Sequence, residues 1–372
     1  MSVPSIEWFL CDRQELLARI DAIDPVAYAQ SRNYLNGSVS WLSPFITHGI
    51  IDTTLVAQRL LTRYPYSSCE KFLFELAWRE YFHRVWQKKD AAIFSDMHAA
   101  SGDLFSEQPH SSIPVAVLQA RTGINVVDQS LRSLMEIGAM HNHARLWIAS
   151  IVCNVARTDW RAPAKWMHYN LLDGDLASNT LSWQWVAGTF SKKRYWCNQE
   201  NINRYSGVTQ SGTFLDHGYD QIAAMPVPQE LHLRSDQTYY TEPPGSPVRL
   251  EPGDVALRSV WNLDGLWQPH IEQQVLFIDE AHHEEWPMNQ NRWRFILHWA
   301  KQISRLRVMR GSVEELHAAC EHSHVYSREY TALKNWPRPS DQRTWLFPEP
   351  AKAYNSFFAY WNQVKKTELG CS

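Results

Sequence analysis

Six cysteines are scattered through the 372 residues, and no two of them form a C-x-x-C pair (Cys11, Cys69, Cys153, Cys197, Cys320, Cys371). The spacing suggests neither a zinc site nor a disulfide framework and fits the thiols of a reducing compartment, so no metal is expected. Long apolar runs are missing too. The longest, "LWIASIVCNVA", is too short to cross a bilayer, and the N-terminal stretch "MSVPSIEWFLCDRQELL" has no basic leader. These features read as a cytoplasmic protein with no membrane partner. Positive charge is not in excess: the formal net charge is -3. That argues against a whole-surface grip on nucleic acid and leaves room only for a local basic groove. The chain also lacks a G-x-G-x-x-G fingerprint and P-loop glycines, which argues against a dinucleotide or nucleoside triphosphate site of those kinds.

Aromatics are abundant instead. Eighteen tryptophans are a heavy load for a chain with 13% aromatic and 20% charged residues. They fit either a large helical core or surfaces that stack on planar ligands and bases. The length favours two domains. From Ile6 to about Ser206 the pattern is helical, as in "CEKFLFELAWREYFHRVWQKK" and "VVDQSLRSLMEIGAMHNHARLWIASIVCNVAR". A proline-rich stretch through "EPPGSPVRLEPGD" then reads as a boundary. Beyond it, short strand-like runs ("DVALRSVW", "QVLFID", "RLRVM", "SHVY", "TWLF") alternate with helical ones ("NRWRFILHWAKQIS", "SVEELHAAC", "AKAYNSFFAYWNQVKK"). The expectation is an all-helical domain over 1–225, a linker over 226–250 and a smaller α/β domain with a parallel, Rossmann-like sheet over 251–372.

Helical spacing puts Glu75 on one face with Trp78 and Arg79, and Asn142 with Arg145. A buried Arg145 needs a carboxylate, and Asp173 or Asp175 needs a cation. An Arg145–Asp173 pair fits a structural ion pair as well as a functional site, and Trp183 and Trp185 fit plain core positions as well as ligand walls.

In this order and spacing, "ELAWREYFHRV", "MHNHARLWIAS", "TDWRAPAKWM" and "DGDLASNTLSWQW" resemble the FAD-binding domain of the DNA photolyase and cryptochrome family. Upstream, "YAQSRNYLNGSVSWLSPFITHG" is similar to the family's phosphate-binding segment, so the likeness runs from Tyr28 to Gly188. The resemblance implies an all-α domain that holds FAD in a folded form. Ser40, Leu42 and Ser43, aided by Tyr28 and Arg79, would meet its phosphates. Arg145 paired with Asp173 would sit against the isoalloxazine, Asp175 would accept from the ring edge, and Asn179 would lie beside N5. Glu75, Trp78, Asn142 and Trp185 match positions that contact a flipped-out cyclobutane pyrimidine dimer in photolyases. The family's (6-4) enzymes carry histidines where this chain has Asn142 and Leu146, so the cyclobutane lesion is the expected one. Trp183 and Trp160 match the first two tryptophans of the family's electron-transfer chain.

The implied activity is blue-light-driven, FAD-dependent repair of dimer-containing DNA, a carbon–carbon lyase reaction. The alternative is a cryptochrome-like photoreceptor that binds FAD and acts through a signalling partner. The chain also departs from the family pattern. The stretch after "WQW" is "FSKKRYWCNQENINRYSG", where Lys192, Lys193 and Arg194 read as phosphate contacts or as a solvated loop. Trp41 replaces the family's usual arginine, Phe72 stands where bacterial members often have tryptophan, and "HAASGDLFSEQPHSSIPV" has no third tryptophan, for which Trp86, Trp147 and Trp166 are substitutes. The stretch from "VLFIDEAHHEEW" to "RGSVEELHAAC" resembles the family's antenna domain, here at the other end of the chain, which implies an antenna chromophore of unknown identity. The clustered cysteines of the family's iron–sulfur branch are absent.

Overall fold

The structure, a computed structural model, describes residues 3–99, 109–337, 339–365 and 367. The chain divides into two compact units: Met1–Ile6, Gln30–Val39 and Lys88–Tyr239 form the first, and Glu7–Ala29, Ser40–Gln87 and Tyr240–Ser372 the second. This departs from the expected 1–225 and 251–372. The later boundary does fall inside the expected linker, but most of the first ninety residues join the α/β half. Their aromatics explain why. Phe45 packs on Phe295 and Trp299, each at 5.6 Å between ring centroids, and the Trp299 indole donates to the Phe9 carbonyl at 3.3 Å.

The first unit is helical. The expected long helix around Gly138 breaks into Asn125–Ile137 and Asn142–Ala149. Gly138 makes the break with φ +84°, and a Cβ there would lie 2.8 Å from Leu172 Cγ. Asn142–Ala149 runs on into a π-helical turn, Ser150–Val155. Helices Arg161–Asn170 and Leu176–Ala187 follow, the second begun by the Asp175 cap and ended by Gly188 at φ +80°. Trp147, Trp160, Trp166 and Trp183 share one buried core with Leu131, Leu134 and Ile151, so most of this tryptophan load is packing. Two short strands, β1 (Ile113–Pro114) and β2 (Arg234–Ser235), pair antiparallel at its edge.

The second unit is built on a five-stranded parallel sheet. Its strands are β3 (Ser246–Pro247), β4 (Gly253–Arg258), β5 (Gln273–Asp279), β6 (Leu306–Gly311) and β7 (Ser323–Ser327), in the order β3-β6-β5-β4-β7. Val275 to Ile278 of β5 are all buried, the continuous apolar run of a strand covered on both faces. Helices Gln290–Ala300 and Val313–Ala319 make the crossovers, the latter opened by a Ser312/Glu315 capping box. The chain order reverses between β4 and β7, which makes their carboxyl ends a topological switch point.

The run "TWLF" is not a strand. The Leu346 and Phe347 amides bond instead to the Glu80 carboxylate, at 2.7 and 3.1 Å, so a buried acid on the Tyr66–Lys89 helix satisfies the donors a sheet neighbour would have taken. Burial raises the Glu80 carboxyl above its ordinary range, against the pull of these hydrogen bonds and that from Thr53. Among the described residues no helix is long and apolar enough to cross a membrane, and no group of three or more His, Cys, Asp or Glu could hold a metal ion.

Candidate functional site

The expected site residues fall into two sets, one in each unit. In the second unit, Trp41 has left-handed backbone (φ +53°) and Leu42 right-handed (φ -81°), immediately before the short helix Ser43–Thr47. Opposite-handed neighbours turn successive N–H groups towards one concavity, a backbone form that suits anions. A tryptophan pays strain to adopt it. Arg79 joins this segment by donating to Thr47 Oγ1 at 3.0 Å, and the Tyr28 ring lies 4.7 Å from that of Phe72. Ser40, Leu42, Ser43 and Arg79 therefore form a setting whose chemistry fits phosphate: hydroxyls, converging amides and a cation.

On the same helix as Arg79, Glu75 pairs with Lys71 at 2.9 Å. Trp78 lies flat against Phe357, with 3.7 Å between centroids and 11° between planes. Phe357 belongs to the helix Phe357–Val364, which also sets Phe357 and Trp361 edge-on to Phe74. One face of the expected lesion-stacking Trp78 is thus occupied by the chain itself. No local sequence signal pointed to Phe357, because its neighbour lies at the other end of the chain.

In the first unit, Arg145 Nη2 reaches both Asp173 oxygens, at 2.9 and 3.0 Å, and its Nε and Nη2 also donate to the Met140 carbonyl. The Asp173 side chain is 8% exposed and that of Arg145 24%, so the pair shows one partly accessible guanidinium edge. Two residues on, Asp175 Oδ1 accepts the Ser178 N–H at 2.7 Å. Its carboxylate stands at a helix N-terminus, where the dipole favours negative charge. The Asn179 amide nitrogen donates to the Ala164 carbonyl at 2.8 Å, which fixes the orientation of its side chain.

Asn142 is exposed at the first position of its helix. The flanking histidines are structural: His141 caps the helix by accepting the His143 N–H, and His143 Nδ1 meets the Asn33 carbonyl at 2.8 Å. Burial pulls His141 down to about 4 and lowers His143 as well.

The tryptophans differ in setting. Trp183 is buried, Trp160 donates to Asp96 at 2.7 Å, and Trp185 is 36% exposed with Tyr195 5.6 Å away. Of the proposed third tryptophans, Trp147 and Trp166 share the core of Trp160 and Trp183, whereas Trp86 belongs to the second unit. Part of the segment with no third tryptophan, residues 100–108, lies outside the described residues. The basic run also splits. Lys192 and Lys193 are exposed, while Arg194 turns inward to Asn154 Oδ1 at 2.9 Å and is a packing residue.

The model of the FAD binding domain of DNA photolyase matches residues 72–232, which carry Glu75, Trp78, Arg79 and the whole first-unit set. Residues 72–232 are therefore similar to the FAD binding domain of DNA photolyase. Tyr28, Ser40, Leu42 and Ser43 lie upstream of the matched stretch. Among photolyases, the Streptomyces griseus deoxyribodipyrimidine photo-lyase is 33% identical over 157 residues, 42% of this chain and 34% of that protein. Among cryptochromes, the Synechocystis sp. cryptochrome DASH is 28% identical over 211 residues, 54% of this chain and 42% of that protein. A solved Synechocystis sp. cryptochrome structure aligns over 52% of this chain and 42% of its own, at 27% identity and a TM-score of 0.46. The chain thus spans well under two thirds of these photolyase and cryptochrome relatives.

Proposed function

We propose that this chain binds FAD and, under blue light, splits cyclobutane pyrimidine dimers in DNA. The observation that carries the reading is the Arg145 fork held on Asp173 and the Met140 carbonyl, with Asp175 and Asn179 at the helix start that follows. A cation fixed this way suits a ring that gains negative charge on reduction, and the Asn179 amide suits a ring nitrogen that is protonated in one state and bare in another. When bound, reduced FAD would supply an electron to the dimer on excitation and recover it after the ring opens. The chain's residues have the other tasks. Ser40, Leu42, Ser43, Tyr28 and Arg79 hold the phosphates, Trp78 and Trp185 stack on the flipped-out pyrimidines, and Glu75 and Asn142 read their polar edges. Trp183 and Trp160 carry electrons to the flavin. Photolyases among the relatives support the lyase reading.

A second reading, a photoreceptor working through a signalling partner, is favoured by one observation: Phe357 already covers a face of Trp78. Cryptochromes among the relatives are in keeping with it. An antenna chromophore would broaden the absorption of either, and a pigment extract of the purified protein tests for it. Repair is tested by illuminating the flavin-loaded, reduced protein with a dimer-containing oligonucleotide and following recovery of thymine absorbance against a dark control. Light-dependent recovery is expected. A photoreducible flavin with no recovery would move the reading to the photoreceptor.

A further inference from the structure

At the switch point of the parallel sheet, a cavity of about 430 Å³ opens at the carboxyl ends of β4 and β7, with Ser259, Asn262, Ser327 and Tyr330 among its lining. Asn262 is 3% exposed, and among the described residues neither its Nδ2 nor its Oδ1 has a hydrogen-bond partner. A buried amide left with both a donor and an acceptor unmet is costly, and native structures keep such groups where something else meets them. The backbone on either side of Asn262 is held from behind. The His48 carbonyl accepts the Leu263 N–H at 3.0 Å, and His48 Nδ1 meets the Val260 carbonyl at 2.6 Å. Gly49 lies so close that a Cβ would come 2.2 Å from the Trp261 carbonyl oxygen. The loop bearing Asn262 is therefore clamped on both sides.

We propose that this crevice binds a mononucleotide. The proposal stands apart from the FAD reading and uses none of its residues. An amide offering one donor beside one acceptor complements the edge of a nucleobase, where donor and acceptor also stand side by side. Tyr330, stacked on Trp261 at 4.5 Å and 7°, and the neighbouring Trp336 supply aromatic lining for a flat ring. Arg328 and Lys334 at the same cavity supply positive charge for a phosphate. The Glu329 carboxylate there is engaged by the Gln87 amide and the Arg343 N–H, and its remaining acceptor capacity suits ribose hydroxyls. A monophosphate is the form proposed because the glycine-rich turns that cradle a triphosphate or a pyrophosphate are missing.

The test is equilibrium dialysis of the flavin-loaded full chain against AMP, UMP, NAD and inorganic phosphate, repeated with Asn262→Leu. One mononucleotide per chain is expected to bind with a Kd below about 1 mM, more tightly than NAD or phosphate alone. Asn262→Leu should weaken it about tenfold or more, with the melting temperature unchanged or raised, since the variant removes an unmet amide. NAD binding more tightly than AMP would assign the same nucleotide chemistry to a dinucleotide and overturn the monophosphate. No nucleotide binding, or binding that Asn262→Leu leaves intact while lowering the melting temperature, would overturn the site and make Asn262 a water-bridged structural residue.

Discussion

The two sets of expected site residues are built in different ways. Around Arg145 the partners are close in the chain: Met140 lies just ahead of its own helix, and Asp173 lies in the loop before the helix that carries Asn179. Around Trp78 the decisive neighbour, Phe357, arrives from the far end of the chain. Local partners leave a motif that can be read directly. A distant partner leaves none, and can change what a familiar residue is able to touch.

Phe357→Ala should have the largest effect. Phe357 is 2% exposed and stacks on Trp78, so the truncation should cost about 3 kcal/mol in chemical denaturation. If the second reading is right, it should also leave repair at zero; if the first is right, uncovering Trp78 should not reduce repair per folded molecule. Asp173→Ala should cost about 2 kcal/mol, less than a fully buried pair because Arg145 is partly exposed, and should release flavin. Flavin retention with unchanged stability would detach the pair from the cofactor.

Acid should weaken both units, and more gently. His141 in the first and His282 in the second are both held at about 4, mainly by burial, below the ordinary 6.5. The folded state therefore favours their neutral forms. That stability is present above pH 6.5 and is lost as the pH falls towards 4, at up to about 1.4 kcal/mol per pH unit for each histidine. His141→Gln should flatten the loss between melts at pH 7 and pH 5.

The smallest changes in stability carry the functional tests. Glu75→Ala removes a partly exposed ion pair with Lys71 and should cost less than about 0.5 kcal/mol while cutting repair far more than flavin retention. Equal loss of both would make Glu75 a folding residue. Asn179→Asp should alter the photoreduction spectrum with little change in stability; an unchanged spectrum would count against a place beside the flavin nitrogen.

The parallel sheet was legible because its strands are short apolar runs separated by amphipathic helices, and the Arg145–Asp173 pair because a buried charge demands a partner. "TWLF" misled because strand-like composition cannot reveal that a helix carboxylate, Glu80, will take its amides. The unit boundaries were missed for a related reason. Apolar residues such as Phe9 and Phe45 announce that a helix face is buried, and only long-range packing decides on which half.

The π-helical turn at Ser150–Val155 bears on how this chain tolerates shortening. Such a turn closes its hydrogen bonds over five residues instead of four and here ends the helix begun at Asn142, so removing a single residue ahead of Asn154 would let the backbone tighten into α-helical winding and move the Asn154 side chain around the axis. Asn154, inside that turn, fastens the stretch after "WQW" through the Val186 and Tyr195 carbonyls and Arg194. A one-residue deletion would unlatch that loop without touching any residue in it.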